Sequence, residues 1–273
     1  RKHKISEAHM QGTTGYGYGD LGRDTIEKIY ADIFKAEDAL VRTQFISGTH
    51  TIATALFGVL RPGDTVLSVN GKPYDTLDET LGIRDNPSSL KAFGVKYEQI
   101  DLVDNKFDLE TIKNRVSKND IKLIIMQRSR GYAYRNAFTI AEIEEVIKAI
   151  RSVNTSSYIM IDNCYGEFTE EREPIEVGAD YIVGSLIKNI GGSIAQSGGY
   201  IVGKKELIDL ISDRYSAPGL GKEGGASFDN NRKILQGLFM APHIVCEAKK
   251  IGIFASRLLE KLGFETEPKF DAV

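Results

Sequence analysis

Short apolar runs alternate with amphipathic helical segments along most of this chain, and no other feature restricts its fold as strongly. The apolar runs lie near 65–69 (TVLSV), 95–100, 121–126 (IKLIIM), 157–161 (SYIMI), 180–184 (DYIVG) and 199–203 (GYIVG). Their shortness and their content of Val, Ile and Tyr mark them as strands. Segments near 51–60, 75–82, 108–117, 139–153 and 204–213 read as helices between them. Strands and helices in alternation imply a mainly parallel sheet covered on both faces, a three-layer α/β sandwich. In such sheets ligands bind beyond the carboxyl ends of the strands, so chemistry is sought just after each one.

The flanks depart from this alternation. The chain opens at Arg1, without methionine, inside what reads as a helix. Residues 12–22 (GTTGYGYGDLG) are too rich in glycine for helix or strand and read as an ordered loop. Its Gly15-x-Gly17-x-Gly19 spacing is not a dinucleotide fingerprint, because no strand precedes it. A helix is expected from about Asp24, with Asp24 as N-cap, Glu27 completing a capping-box-like start, and Ile26, Ile29, Tyr30 and Ile33 at helical spacing. From about 229 to 263 the pattern is helical throughout, with Gly263 as the stop.

Charge and cysteine content remove several classes of function. Thirty-five Lys and Arg against 38 Asp and Glu give a net charge of −3, which offers no basic footprint to nucleic acid or an anionic membrane. No apolar run approaches the roughly 20 residues a spanning helix needs. Cys164 and Cys246 are far apart, so both are expected reduced in a cytoplasmic protein. No His, Cys and Asp cluster has metal-ligand spacing, and no metal is expected.

Three short stretches carry the candidate chemistry. Ser47-Gly48-Thr49 precedes the helical run His50–Leu60. A helix start exposes unpaired N–H groups that suit a phosphate, although Ser and Thr also cap helices with no ligand present. Asp162 ends a strand and is followed by Asn163. A carboxylate there could bind metal, act as a base or pair with a cationic ring nitrogen, or the Asp-Asn pair could simply form a turn. Lys188 follows Ser185-Leu186-Ile187, directly after a strand. An apolar setting would desolvate its amine and make it a nucleophile; the plainer reading is a surface lysine in a loop. Ser185-x-x-Lys188 also matches the spacing of penicillin-recognising serine enzymes, but their companion Ser-Asp-Asn and Lys-Thr-Gly elements are absent.

In combination the three are an anion site, a carboxylate and an amine, the set that pyridoxal phosphate requires. The blocks QGTTGYGYGDLGRDT, FISGTHTIATALFGVLRPGD, GKPYDTL, QRSRGYAYR, IDNCYGEF, SLIKNIGG and SGGYIVG cover residues 11–203 in order, and KEGGASFDNNRKILQGLFMAPH extends the likeness to 243. In them the chain resembles the methionine gamma-lyase-like family, also called aluminium resistance proteins, within the cysteine/methionine branch of fold type I pyridoxal-phosphate enzymes.

That resemblance implies an aspartate-aminotransferase-like fold and a role for each matched residue. Lys188 would be the Schiff-base lysine and Asp162 the partner of the pyridine nitrogen. Ser47, Gly48, Thr49 and Ser185 would hold the phosphate of pyridoxal 5'-phosphate, and Tyr74 would stack on its ring, with His50 as an alternative. Tyr16 and Tyr18 lie where the gamma-lyases send a tyrosine and an arginine into the neighbouring subunit, implying a homodimer or homotetramer with shared sites. No arginine follows either tyrosine at the matching distance, although Arg23 comes soon after.

Arg128 and Arg130 follow the strand at 122–126, where the gamma-lyases carry a different motif. A guanidinium there suits a substrate carboxylate or a structural ion pair equally well. Residues 1–22 are expected to form an N-terminal segment with the inter-subunit loop and residues 23–240 the large cofactor domain. Residues 241–273 would be a linking helix and the start of a small C-terminal domain that is largely missing. The activity implied is a carbon-sulfur lyase on a sulfur-containing amino acid. The alternatives are an aminotransferase or other amino-acid lyase on the same scaffold, or a non-catalytic pyridoxal-phosphate protein.

Overall fold

The structure is a computed structural model and describes residues 2–272. Seven strands form one sheet: β1 (Asp38–Arg42), β2 (Thr65–Ser68), β3 (Lys96–Gln99), β4 (Leu123–Gln127), β5 (Tyr158–Asp162), β6 (Tyr181–Ser185) and β7 (Gly199–Gly203). Their order is β1-β7-β6-β5-β4-β2-β3. The central pairs are parallel, and β7 alone runs antiparallel to its neighbours β6 and β1. The helices are α1 (Leu21–Phe34), α2 (Gly48–Val59), α3 (Asp78–Leu81), α4 (Leu109–Val116), α5 (Ile140–Arg151), α6 (Lys205–Tyr215) and α7 (Asn231–Lys261).

Two apolar layers sandwich the sheet, and strand alternation decides which residue enters which. Ile159 and Ile161 of β5 join Ile124, Ile182 and Tyr200 in a core with Tyr30 and Phe34 of α1 and Ile143 and Ile147 of α5. Met160, between them, points the other way, among Leu123, Val183 and Ile201, with Ile52 and Leu56 of α2 and Leu207 and Ile211 of α6. β4 and β6 are buried along their whole length, which is why they read as continuous apolar runs rather than alternating ones. Each such side chain removed from water contributes about 1.5–3 kcal/mol. This is the three-layer sandwich expected from the sequence. Among the described residues no helix is long and apolar enough to cross a membrane.

Several local expectations shift. The N-cap of α1 is Asp20, whose carboxylate accepts from Arg23 N at 2.9 Å, so the helix begins one turn before Asp24. Glu27 builds no capping box; it is buried and pairs with Arg42. A polar residue near a helix start marks the region, and the turn on either side decides which one caps it. β1 is an element that the pattern does not announce, because Asp38 and Arg42 give its five residues polar ends and only the Glu27 and Lys222 contacts explain a buried Arg42. The segment expected as a helix at 75–82 is a 3-10 turn, Asp75–Leu77, followed by the single turn of α3. Near the start, the helical turn is a 3-10 segment, Glu7–Met10. At the other end Lys261 closes α7 and Gly263 follows at φ +88°, as a helix stop requires.

Candidate active site

The parallel strands β4, β5 and β6 end side by side at Gln127, Asp162 and Ser185, and the start of α2 packs against two of these ends. A side chain at Gly48 would meet Ser185 Cβ at 3.4 Å and Cys164 Sγ at 3.8 Å, so the backbone of the helix start lies against both strand termini. Ser47 Oγ accepts from His50 N at 3.0 Å, the plain capping role that its residue type allows. Thr51 N bonds to Ser47 O. The N–H groups of Gly48 and Thr49 have no protein acceptor among the described residues, so the first turn of α2 retains the donors that an anion needs. Thr49 Oγ1 lies 2.6 Å from Thr76 Oγ1. His50 turns toward Phe45, ring centres 5.4 Å apart, with Nδ1 accepting from Ile46 N.

Asp162 is buried, and its Oδ1 accepts from Cys164 N at 3.1 Å. Burial pushes its pKa up; the Cys164 bonds and the positive charge of Lys188 pull against that rise. A buried carboxylate in this setting favours a further cation beside it. Lys188 follows the end of β6 in a turn in which its N–H bonds to Ser185 O at 3.2 Å. Asn189 Nδ2 donates to the carbonyls of Tyr165 and Glu167, both at 3.1 Å, which fastens the lysine turn to the loop after β5. Ser185 Oγ is buried with no hydrogen-bond partner. A buried hydroxyl left without a partner at a strand end is a group awaiting a ligand or a water.

Tyr165 is a member of this cluster with no role assigned from sequence. Its hydroxyl accepts from Lys188 Nζ, and the amine lies 4.2 Å from its ring centre. Its backbone has φ +67°, a conformation that non-glycine residues adopt rarely, so nothing in the string Asn163-Cys164-Tyr165 advertises where the ring points. Tyr74 stands at the adjacent strand end, its N–H donating to Gln127 Oε1 at 2.7 Å. Its ring lies 5.6 Å from that of Tyr132, and the Tyr132 hydrogen bond with partial burial pushes the Tyr74 hydroxyl up to about 12. Tyr165 is near enough to add to that rise.

The two arginines separate. Arg128 is buried, and its five N–H donors are all engaged: Phe138 O, Asn163 Oδ1, Gly166 O, Thr169 Oγ1 and Glu170 Oε1 accept from it. It clamps the loop behind Asp162, the structural ion pair that is one of its two readings, and keeps no N–H for a further acceptor. Arg130 is only partly buried, and its nearest acceptor is Glu267 O at 3.5 Å. Tyr16 and Tyr18 are exposed, their ring centres 6.0 Å apart, and among the described residues no hydrogen bond joins either to Lys188 or Asp162. Their loop is pinned by Arg23, whose guanidinium donates to Gly17 O and Gly225 O. That commitment removes Arg23 as a phosphate ligand.

The chain is similar to known proteins over its whole length. The family profile described as methionine gamma-lyase matches residues 1–273. An uncharacterized protein, YnbB, of Bacillus subtilis (strain 168) is 51% identical over 275 residues, covering 100% of this chain and 65% of YnbB. The carbon-sulfur lyase involved in aluminum resistance from Clostridium novyi NT superposes with a TM-score of 0.96 at 47% identity, over 99% of this chain and 65% of that one. The pyridoxal-5'-phosphate dependent protein YhfS from Escherichia coli shares the fold alone, with a TM-score of 0.65 at 21% identity over 91% of this chain and 61% of its own. This chain therefore spans a little under two thirds of the first two proteins. With the sheet, the order of the strand-end residues and the full-length match in agreement, the chain belongs to the methionine gamma-lyase family.

Proposed function

We propose that this chain holds pyridoxal 5'-phosphate on Lys188 and forms the cofactor-bearing part of a carbon-sulfur lyase for a sulfur-containing amino acid. One observation carries the reading: Lys188 and the buried carboxylate of Asp162 sit at the ends of the neighbouring parallel strands β6 and β5, and the lysine turn is bonded to the loop after β5 through Tyr165. The surroundings fit the group. Ser185 Oγ is an unpartnered buried donor, and the open first turn of α2 adds backbone N–H groups for a phosphate. Tyr74 supplies an aromatic face at the next strand end.

When bound, the cofactor supplies an electron sink for the electron pair that a departing proton leaves on the substrate's alpha carbon. Asp162 would pair with the ring nitrogen and favour its protonated form, which is what would give that sink its strength. Lys188 takes the alpha proton and returns it, and Tyr165 Oη, on the same amine, holds Lys188 in position between these tasks. Arg130, the arginine with free donors, binds the substrate carboxylate at the mouth of the crevice. The carbon–sulfur bond would then break with its electron pair on sulfur, and the proton held by Lys188 would leave with it as a thiol. Tyr16 and Tyr18 reach the phosphate site of a second copy in a homodimer or homotetramer, so their exposure here is that of a surface meant to be covered.

The test is incubation with methionine, cystathionine and cysteine in turn, assaying thiol and keto acid. Thiol and keto acid appearing together support the lyase. Transfer of the amino group to an added keto acid without thiol would replace it with an aminotransferase. Binding of the cofactor with no turnover of any amino acid would leave a carrier.

A further inference from the structure

Behind Asp162 the same loop buries a second carboxyl that the reaction above does not use. Glu167 is 0% exposed. Tyr200 of β7 donates to its Oε1 at 2.7 Å, and its Oε2 is buried with no partner. Tyr30 of α1, whose ring centre lies 5.8 Å from that of Tyr200, also has a buried hydroxyl without a partner. The charges that act on Glu167 are those of two other carboxyls, Glu173 and Asp162. Cations are close by but engaged elsewhere. Arg128 bonds Glu170 at 2.7 Å and faces Glu173 at 3.6 Å, and the charge of Lys188 acts on Asp162. Among the described residues no Lys, Arg or His nitrogen is within ion-pair distance of Glu167.

A carboxylate so placed would be buried, without a cation and with a bare oxygen, and that state is too costly to persist. Two carboxyls on one loop hold or lose their protons according to their surroundings. Asp162 has a backbone N–H and a lysine charge; Glu167 has one tyrosine hydroxyl.

We infer that Glu167 is a positioning residue held as a neutral carboxylic acid, which makes Asp162 the single ionised member of the pair and keeps it available to a cation in the crevice. The identity of that cation, the protonated ring of the cofactor, rests on the proposed function; the charge state of Glu167 does not. Burial pushes Glu167 up to about 8, and the Tyr200 bond recovers only part of that rise. An acid whose folded pKa lies above its unfolded value contributes stability that is full below the unfolded pKa and lost as pH rises through the folded one. Stability from this residue therefore declines from about pH 4.5 to about pH 8 and is level beyond it.

The experiment compares the wild-type chain with Glu167→Gln, a neutral mimic of similar shape that preserves an acceptor for Tyr200. The infrared spectrum of the cofactor-free protein near about pH 6 should show a protonated carboxylic C=O stretch that is absent from the variant and fades in the wild type toward about pH 9. The melting temperatures should coincide near about pH 5 and diverge as pH rises, with the variant the more stable above about pH 8. Pyridoxal phosphate added to each should bind with affinities within about twofold of one another near neutral pH, since the neutral state is conserved. If the variant does not fold, carboxyl carbon NMR of the wild type decides the matter through one glutamate titrating near about pH 8. Absence of any protonated carboxyl at the lower pH, or a variant destabilised equally at both ends of the range, overturns the inference. A protein with the infrared band that never binds pyridoxal phosphate would refute the cofactor assignment and leave the neutral Glu167 standing.

Discussion

Lys188 Nζ lies 4.2 Å from the ring centre of Tyr165 and donates a hydrogen bond to its hydroxyl, so the amine is held both by the aromatic face and by its polar tip. The two residues sit on turns after adjacent strands, and Asn189 Nδ2 ties those turns together. The amine therefore arrives at the crevice on a braced support, although its own turn is a surface feature.

Tyr165→Phe separates the two halves of this contact, retaining the ring and removing the hydroxyl. Because Tyr165 is 55% exposed, the melting temperature should hardly change. Turnover should fall about tenfold, the cost of one charge-assisted bond. Unchanged turnover would show that the hydroxyl does not act on Lys188.

Asp162→Asn preserves an acceptor for Cys164 N while removing the charge. Folding and binding of pyridoxal phosphate should survive, and turnover should drop about 100-fold or more, as loss of one preorganised electrostatic partner does. Steady-state kinetics on the refilled variant measures this directly.

Ser185→Ala deletes a buried hydroxyl that has no partner in the chain. Stability should be equal to or slightly above that of the wild type, because no bond is broken and an unsatisfied group is removed. Affinity for pyridoxal phosphate should fall about tenfold in an absorbance titration. A loss of stability with unchanged affinity would mean that the hydroxyl serves the fold.

The two arginines give opposite results. Arg128→Met leaves Glu170 and Glu173 without their guanidinium and should cost about 3–5 kcal/mol in denaturant unfolding. Arg130→Ala should leave stability within about 0.5 kcal/mol and raise KM for the amino acid. Equal destabilisation by both would remove Arg130 as a substrate residue.

Acid unfolding reports on Asp20. Burial opposes its charge, yet bonds from Arg23 N, Ser227, Thr13 and Asn231 hold its carboxyl below the usual range. A carboxylate depressed in the folded state contributes stability above its unfolded pKa of about 3.9 and loses it as pH falls through the folded value. Asp20→Asn retains an acceptor for the cap but sets an amide among the donors Thr13, Ser227 and Asn231, so it should lower the melting temperature at neutral pH, and the gap to the wild type should close in acid.

What the sequence made legible was the pattern that strands impose. Continuous apolar runs at β4, β5 and β6 located the parallel core, and the residues just after them, Asp162, Ser185 and Lys188, gather where the crevice rule places a site. What stayed hidden depends on tertiary contacts or rare backbone. Tyr165 faces Lys188 because of a positive φ, and Glu167 is buried because Tyr200 arrives from an antiparallel strand far along the chain. Arg128 looks like a ligand-binding arginine until its five acceptors, on residues from Phe138 to Glu170, are seen together. Asp20 replaced Asp24 as the cap of α1 because Thr13, Ser227 and Asn231 converge on it.

Borohydride reduction of the protein loaded with pyridoxal phosphate, followed by peptide mapping, addresses the central assignment most directly. The account predicts a single pyridoxyl adduct, on the peptide that contains Lys188, and none in Lys188→Ala. An adduct on another lysine, or no adduct after complete loading, would contradict it.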